Sequence, residues 1–162
     1  MARLAGRVEN EIVWDPFCGS GTELIEAALP GGVKYIYGTD LSAAAIANAK
    51  ANFASAGLGL IPAKFVCSDF REFARREKLE TNAVTLIITN PPMGQRVLTP
   101  DLRHLIGDLF NVAAKTLKPG GRLVFANPLR MENPQPTLKL QSRQVVDFGG
   151  FDCCLEKYLK LP

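Results

Sequence analysis

The residues of this sequence that are best suited to chemistry lie in two loops, each of which follows an apolar run. In the first loop, residues 15–22, Gly19 and Gly21 have no side chain, so the turn can fold sharply and its backbone N–H groups can approach a ligand. In the second loop, Asn90-Pro91-Pro92, the prolines stiffen the chain, and Pro92 lacks the N–H that a sheet ladder would need. The two loops therefore predict a cradle for a ligand and a rigid pair of hydrogen-bond acceptors.

A glycine turn of this kind is weak support on its own, because an ordinary turn between a strand and a helix has the same pattern. The third glycine of a dinucleotide-binding fingerprint, G-x-G-x-x-G, is replaced by Leu24. Ser20 and Glu23 have the spacing of a capping box, which predicts that the next helix begins at Ser20. What strengthens the case is order along the chain, since each of the next three apolar runs leads to a polar residue: Asp40, Asp69 and Asn90.

With the run Asp15-Pro-Phe-Cys-Gly-Ser-Gly-Thr22 upstream and the run Asn90-Pro-Pro-Met-Gly-Gln-Arg96 downstream, the sequence resembles the RNA methylases that often follow a THUMP domain. These are Rossmann-like enzymes, and several of them form N2-methylguanosine in tRNA or rRNA. The resemblance covers nearly the whole chain. It implies a class I methyltransferase fold, S-adenosyl-L-methionine as cofactor, and an exocyclic amino group of RNA, first of all guanine N2, as the methyl acceptor.

The elements that would position these loops follow from the hydrophobic pattern. The five predicted strands before the C-terminal segment are Ile12–Trp14, Val33–Thr39, Ala63–Cys67, Ala83–Ile88 and Arg122–Asn127. Residues 128–141 are expected to be irregular or briefly helical, and Gln144–Phe148 and Phe151–Leu161 read as a hairpin. The pattern predicts an α/β domain with a mostly parallel seven-stranded sheet and a C-terminal antiparallel hairpin.

Two acidic residues at strand ends are predicted to hold the cofactor. Asp40 stands 19 residues beyond Gly21, near the spacing at which an acidic residue meets ribose hydroxyls, and Ser42 is the better candidate to cap the next helix. The resemblance implies that Asp69 accepts a hydrogen bond from the adenine amino group, although it could instead be a helix N-cap. The whole predicted cofactor set is Asp15, Phe17, Cys18, Gly19, Ser20, Gly21, Asp40, Leu41, Asp69, Phe70 and Asn90.

For methyl transfer from an activated sulfonium, the protein needs neither a metal nor a covalent nucleophile, only an in-line approach. The Asn90 side-chain oxygen and the Pro91 carbonyl would each accept an N–H of the target amine and favour the charge that develops on it. The predicted catalytic set is Asn90, Pro91, Pro92 and Met93. Where the family usually has an aromatic residue, this chain has Met93, which bears on the choice of base. Gly94 and Arg96 match the family pattern, and Arg96 could meet a phosphate or be solvated.

Composition predicts one compact domain, because 162 residues with 47% hydrophobic content suffice for a single core. The net charge is +3, with a small basic excess in residues 91–129 and no basic stripe. The four cysteines lack C-x-x-C spacing, so we expect reduced, mostly buried thiols and no metal site, and His104 fits a helix pattern. No apolar run reaches the length of a membrane span, and Met1-Ala2-Arg3-Leu4 is not the expected opening of a signal peptide, so we expect a cytoplasmic protein.

The domain organisation is expected to be a methyltransferase domain over residues 11–162, preceded by residues 1–10 as the end of a longer N-terminal region. That region could include an RNA-binding domain, so the RNA substrate, tRNA or rRNA, would be bound mainly outside this chain. The sequence does not indicate the oligomeric state.

Three other functions fit parts of the pattern. A DNA adenine N6-methyltransferase uses similar Asn-Pro-Pro chemistry, but many such enzymes have the two motifs in the opposite order, and no insertion here is long enough for a DNA-recognition domain. A protein-glutamine methyltransferase is possible because a side-chain amide presents similar N–H groups. A degenerate nucleotide-binding Rossmann module, with Met93 marking lost catalysis, is the non-enzymatic alternative.

Overall fold

The computed structural model describes residues 1–79, 83–93, 99–147 and 152–162. The helices are α1 (Ala2–Ala5), α2 (Thr22–Ala28), α3 (Ala43–Ser55), α4 (Phe70–Arg76) and α5 (Thr99–Thr116). The strands are β1 (Glu11–Asp15), β2 (Val33–Asp40), β3 (Ala63–Cys67), β4 (Val84–Thr89), β5 (Leu117–Asn127), β6 (Leu138–Asp147) and β7 (Asp152–Lys160). The predicted family matches at Gly94 and Arg96 lie outside the described residues.

The seven strands form one sheet in the order β3-β2-β1-β4-β5-β7-β6. β1 pairs in parallel with both β2 and β4, whereas β7 runs antiparallel to β5 and β6. The predicted parallel sheet with a C-terminal antiparallel hairpin is therefore confirmed. Strand order reverses between β1 and β4, and a crevice at the carboxyl ends of the strands is expected at such a point.

The core has two apolar clusters, one on each face of the sheet. Successive residues of a strand point to opposite faces, so Val13 belongs to one cluster and Trp14 to the other. In the same way Ile87 and Ile88 of β4 separate between the two clusters. All six residues of β4 are buried, as expected for a central parallel strand that is covered on both faces.

Two strands begin earlier than the sequence predicts. β6 begins at Leu138 and not at Gln144, because the Asn133 amide donates to the Leu138 carbonyl (2.6 Å) and anchors the start of a largely exposed edge strand. β5 begins at Leu117 and not at Arg122. Its register shifts after Leu117, and Gly120 adopts a φ of 78°, so Pro119, Gly120 and Gly121 form an irregularity inside the strand.

The two helix starts that the sequence predicts have different outcomes. The prediction of a capping box at Ser20 is wrong. The N-cap of α2 is Gly21, at a φ of 87°, and no side chain caps the helix. Ser20 instead places its hydroxyl 3.2 Å from that of Thr22, because the helix can begin only after the left-handed turn at Gly21. Ser42 does cap α3, accepting the Ala45 N–H at 3.2 Å.

The four cysteines are free thiols; Cys67 is exposed, and the other three are buried as expected. Within the described ranges, no group of three or more His, Cys, Asp or Glu side chains is placed to hold a metal ion. No helix in that part of the chain is long and apolar enough to cross a membrane.

The first helix is joined to the last strand by one hydrogen bond. The Lys157 ammonium of β7 donates to the Ala5 carbonyl of α1 at 3.2 Å.

Candidate cofactor and acceptor site

A cavity of about 720 Å³ opens at the carboxyl ends of the parallel strands, at the point where strand order reverses. The loops after β1, β2, β3 and β4 all contribute to it. Its lining residues are Pro16, Phe17, Gly19, Asp40, Leu41, Ser68, Asp69, Phe70, Arg71, Asn90, Pro91, Pro92, Met93 and Leu105. Three polar groups that the sequence predicts at strand ends, Asp40, Asp69 and Asn90, therefore meet in one place.

The structure brings most of the predicted site residues to the cavity wall: Phe17, Gly19, Asp40, Leu41, Asp69, Phe70, Asn90, Pro91, Pro92 and Met93. Four predicted cofactor residues are not among those that line it: Asp15, Cys18, Ser20 and Gly21. Of these four, Asp15, Cys18 and Gly21 are buried, whereas Ser20 is exposed. Sequence patterns locate the loop but do not distinguish the residues that face a ligand from the residues that support them.

Asp40 connects the glycine loop to the start of α3. Its Oδ2 accepts the Gly19 N–H at 2.9 Å, and its Oδ1 accepts the Ser42 N–H at 2.8 Å. A carboxylate can accept about four hydrogen bonds, so each oxygen retains capacity for a further donor. Asp40 is half-buried at the cavity, which leaves that capacity accessible to a hydroxyl-bearing ligand.

The glycine loop is held against α3 by contacts that tolerate no side chain at Gly21. A Cβ there would lie 3.3 Å from the Cα of Ala49, at a φ that side chains rarely adopt. The Asn52 amide of α3 donates to the Ser20 carbonyl at 3.0 Å, and the Gly21 N–H donates to the Cys18 carbonyl at 2.7 Å. At Gly19, in contrast, a Cβ would meet nothing within 4 Å, so the backbone at that position faces open space.

Asp15 links the two loops from beneath the cavity. Its side chain is only 1% exposed, and its Oδ1 accepts both the Phe17 N–H (3.0 Å) and the Thr89 hydroxyl (2.5 Å). Thr89 immediately precedes Asn90, so this carboxylate joins the β1 loop to the β4 loop. Burial raises the Asp15 pKa from 3.8 to about 7, although the bonds from Thr89 and Phe17 oppose the shift. The described hydrogen bonds of Asp15 join the two loops, and the cofactor contact that the sequence predicts for it stays a prediction.

Asp69 is the N-cap of α4 and is also the partner of an arginine. Its Oδ1 accepts the Arg71 backbone N–H at 2.8 Å, which is the capping role that the sequence left open. The Arg71 guanidinium also donates to both carboxylate oxygens and holds the Asp69 pKa below its usual range. Sequence analysis missed Arg71, and the only available signal was the Asp-x-Arg spacing.

Apolar groups flank these acids. Leu41 lines the cavity although its side chain is 76% exposed, so a bound ring would cover it. Phe70 is buried and meets Phe17 edge to face, with ring centroids 5.0 Å apart. Such a combination suits a flat aromatic ligand with a polar edge.

The acceptor loop follows β4 directly. Asn90 is exposed at the cavity, Pro91 is buried, and Pro92 and Met93 are half-buried. Because Thr89 is buried and hydrogen-bonded to Asp15, the start of this loop is fixed relative to the glycine loop. The arrangement offers an amide oxygen and main-chain carbonyls near the space between the two loops.

Comparison with known proteins identifies this arrangement. Residues 1–154 match the family model described as UPF0020, RMKL-like, methyltransferase domain. The chain is 33% identical over 155 residues to a tRNA (guanine(6)-N2)-methyltransferase of Thermus thermophilus. The aligned region covers 93% of this chain and 44% of the relative. It is 30% identical over 139 residues to a tRNA (guanine(10)-N2)-dimethyltransferase of Methanocaldococcus jannaschii, covering 82% of this chain and 36% of the relative.

The crystal structure of TrmN from Thermus thermophilus superposes with a TM-score of 0.81 at 32% identity, over 98% of this chain and 46% of that chain. The chain thus spans less than half the length of these relatives. The expected family and the expected class I methyltransferase fold are both confirmed. The chain belongs to the UPF0020 family and is its RMKL-like methyltransferase domain.

Proposed function

We propose that this domain binds S-adenosylmethionine and transfers its methyl group to an exocyclic amino group of RNA, namely N2 of guanine. The observation that carries the proposal is the meeting of Asp40, Asp69 and Asn90 at one cavity. The names of the two relatives, both tRNA guanine-N2 enzymes, support the choice of acceptor. We therefore take tRNA as the first substrate to test, with rRNA as the second.

The cavity residues fit the proposed cofactor. Asp40, with acceptor capacity left on each oxygen, would receive the ribose hydroxyls. Asp69 would accept the adenine amino group, with Leu41 and Phe70 beside the ring. The open space over the Gly19 backbone would admit the methionine part, and a volume of about 720 Å³ lies within the usual range for such ligands.

When bound, S-adenosylmethionine supplies a sulfonium methyl that is already electrophilic. The task of the protein is to present a poor nucleophile, because the lone pair of an exocyclic nitrogen is delocalised into the base. The Asn90 side-chain oxygen and the Pro91 carbonyl would each accept one N–H of that nitrogen, which holds it in line and favours the positive charge that develops. Asn90 cannot act as a base near neutral pH, so the proton leaves to water after transfer.

Met93 would contact the target base where relatives of the RNA methylase type usually have an aromatic ring. A thioether packs against a ring by an apolar, polarizable contact and does not require one particular base. Base identity would then depend on Asn90, Pro91 and the rest of the RNA contact. We propose that most of that contact comes from protein outside residues 1–162, since the net charge of this chain is only +3.

The test is Asn90→Ala, with Asn111→Ala as the matched control, because Asn111 is an exposed amide on α5 that does not line the cavity. Asn90→Ala should keep S-adenosylmethionine affinity within a few fold by calorimetry. It should lose about a hundredfold or more in turnover on unmodified tRNA, because the Asn90 side-chain oxygen that it lacks would accept its hydrogen bond mainly in the transition state. Mass spectrometry of digested RNA should detect N2-methylguanosine with the unchanged protein and the control.

Other products would revise the proposal in distinct ways. A methyl group on adenine would leave the proposed role of Asn90 intact but refute guanine as the target base. A methyl group on carbon or ribose would refute both the target base and the role of Asn90. Methylation of a protein glutamine or of DNA adenine would replace the substrate class. Binding of NAD in preference to S-adenosylmethionine would refute the enzyme assignment.

A further inference from the structure

Arg71 bridges two carboxylates at the wall of the cavity. Its Nε and Nη2 form a fork on Asp69, at 2.9 Å to Oδ1 and 2.6 Å to Oδ2. Its Nη1 donates to Oδ2 of Asp108 on α5 at 2.7 Å. The guanidinium is thus fixed from two sides, by α4 and by α5, next to the space in which the proposed adenine would lie.

The fork constrains how Asp69 can meet a ligand. Oδ1 already accepts both the Arg71 backbone N–H and Nε, and the one distance described for Oδ2 is that to Nη2; the Glu72 backbone N–H also donates to this carboxylate. Oδ2 is therefore the oxygen better able to accept a hydrogen bond from a ligand. A bidentate arginine also fixes the plane of the carboxylate, which a single lysine ammonium would not do.

The same guanidinium packs on the apolar side of the site. Its Cζ lies 5.3 Å from the centroid of the Phe70 ring, which is buried against Phe17. The Arg71 side chain is 48% exposed and the Asp69 side chain 28%, so solvent screens the pair and its contribution to folding stability is small. The arrangement therefore contributes more to geometry than to the free energy of unfolding.

We propose that Arg71 is a positioning residue that fixes Asp69 so that its Oδ2 accepts the exocyclic N–H of adenine and excludes a ring with a carbonyl at that position. This inference rests on the proposed function. A carbonyl facing a fixed carboxylate would place two acceptors together and leave both without a donor, which penalises the wrong ring. Without the Arg71 side chain, the backbone N-cap bond still holds Oδ1, but the fork no longer fixes the plane of the carboxylate, and the penalty falls.

The experiment compares two ligands, S-adenosylhomocysteine and its inosine analogue, by calorimetry on the 162-residue chain. The unchanged protein should bind the adenine ligand about tenfold to a hundredfold more tightly, as expected for a hydrogen bond to a charged group. Arg71→Ala should bring the two affinities within about threefold of each other. Arg71→Lys keeps the charge without the fork and should give an intermediate ratio.

Arg76→Ala is the matched control, because Arg76 lies on the same helix, is 66% exposed, and meets only Glu72, at 4.0 Å, among its described ion pairs. It should leave the ratio unchanged. A ratio is the decisive quantity, since a general loosening of the site would weaken both ligands equally.

The outcomes separate this inference from the proposed function. If Arg71→Ala discriminates as well as the unchanged protein, or if both ligands weaken by the same factor, Arg71 does not position Asp69. If the unchanged protein binds neither ligand, the proposed function fails and this inference fails with it. If Arg76→Ala also loses the difference in affinity between the two ligands, that difference depends on the positive charge of α4, and the positioning role of Arg71 is refuted.

Discussion

Replacing Asp15 by asparagine tests whether the bond between the two loops is made at an electrostatic cost. Asp15→Asn keeps an oxygen that can accept the Phe17 N–H and the Thr89 hydroxyl, and it removes the buried negative charge. Because burial is the main cause of the raised pKa, the neutral amide should suit the site better than the carboxylate does at high pH. The expected result is a variant that becomes more stable, relative to the unchanged protein, as pH rises.

The size of the change in the free energy of unfolding follows from the shift in the Asp15 pKa. A pKa that rises from 3.8 to about 7 on folding is equivalent to about 4 kcal/mol, at about 1.4 kcal/mol per unit. Below pH 4 the carboxyl is protonated in both the folded and the unfolded chain, so it has no effect. Between pH 4 and 7 the folded chain holds a proton that the unfolded chain has released, and the free energy of unfolding falls as pH rises. Above about pH 7 the carboxyl is ionised in both states, so the free energy of unfolding falls no further.

Urea unfolding at pH 4, 5, 6, 7 and 8 measures this directly. The difference in the free energy of unfolding between Asp15→Asn and the unchanged protein should be near zero at pH 4 and reach up to about 4 kcal/mol at pH 8. Asp101→Asn, which removes an exposed carboxylate from α5, serves as the control for the loss of a charge. A difference that stays constant from pH 4 to 8 would refute the inference that Asp15 is destabilised by burial.

Three further outcomes are expected. Asp40→Ala should weaken S-adenosylmethionine binding roughly tenfold to a hundredfold by calorimetry, and unchanged affinity in a folded variant would remove Asp40 from the site. Gly38→Ala should destabilise the fold by about 1–3 kcal/mol, because a Cβ would lie 2.6 Å from Cδ1 of Phe65. Its control is Gly59→Ala, where a Cβ meets nothing within 4 Å and the urea midpoint should change little. Residues 1–162 alone should bind RNA weakly and with little selectivity in filter-binding assays, and tight, salt-resistant binding would contradict this.

The parts of the site that could be predicted from sequence were those with a local signal. Each cavity acid or amide follows an apolar run, and such a run predicts both a buried strand and the position at which it ends. Asp40 and Asp69 were found in this way, and so was Asn90. Glycine turns were equally visible, because a missing side chain is a property of the sequence itself.

The contacts between distant residues could not be predicted in the same way. Thr89 donates to a carboxylate 74 residues away, and Arg71 meets Asp108 across 37 residues, so neither pair leaves a pattern within one window of sequence. The capping box at Ser20 failed for the opposite reason. A local pattern was present, but the close approach of Gly21 to α3 determined where the helix begins. The start of β6 was missed because an exposed edge strand does not need alternating apolar residues.

Because β1 and β4 are neighbours in the sheet, the cavity does not depend on the order in which their two loops occur along the chain. The cavity needs the β1 loop beside the β4 loop, but it does not need either one to come first in the chain. The first helix and the last strand already touch through Lys157 and Ala5, so the segments beside the two chain ends lie together. A circular permutant opened between α4 and β4, with a short linker from Pro162 to Met1, would place the Asn-Pro-Pro loop before the Asp-Pro-Phe loop and keep the same cavity. The order of the two motifs along the chain therefore does not decide the chemistry, which is set by the residues that meet at the carboxyl ends of the strands.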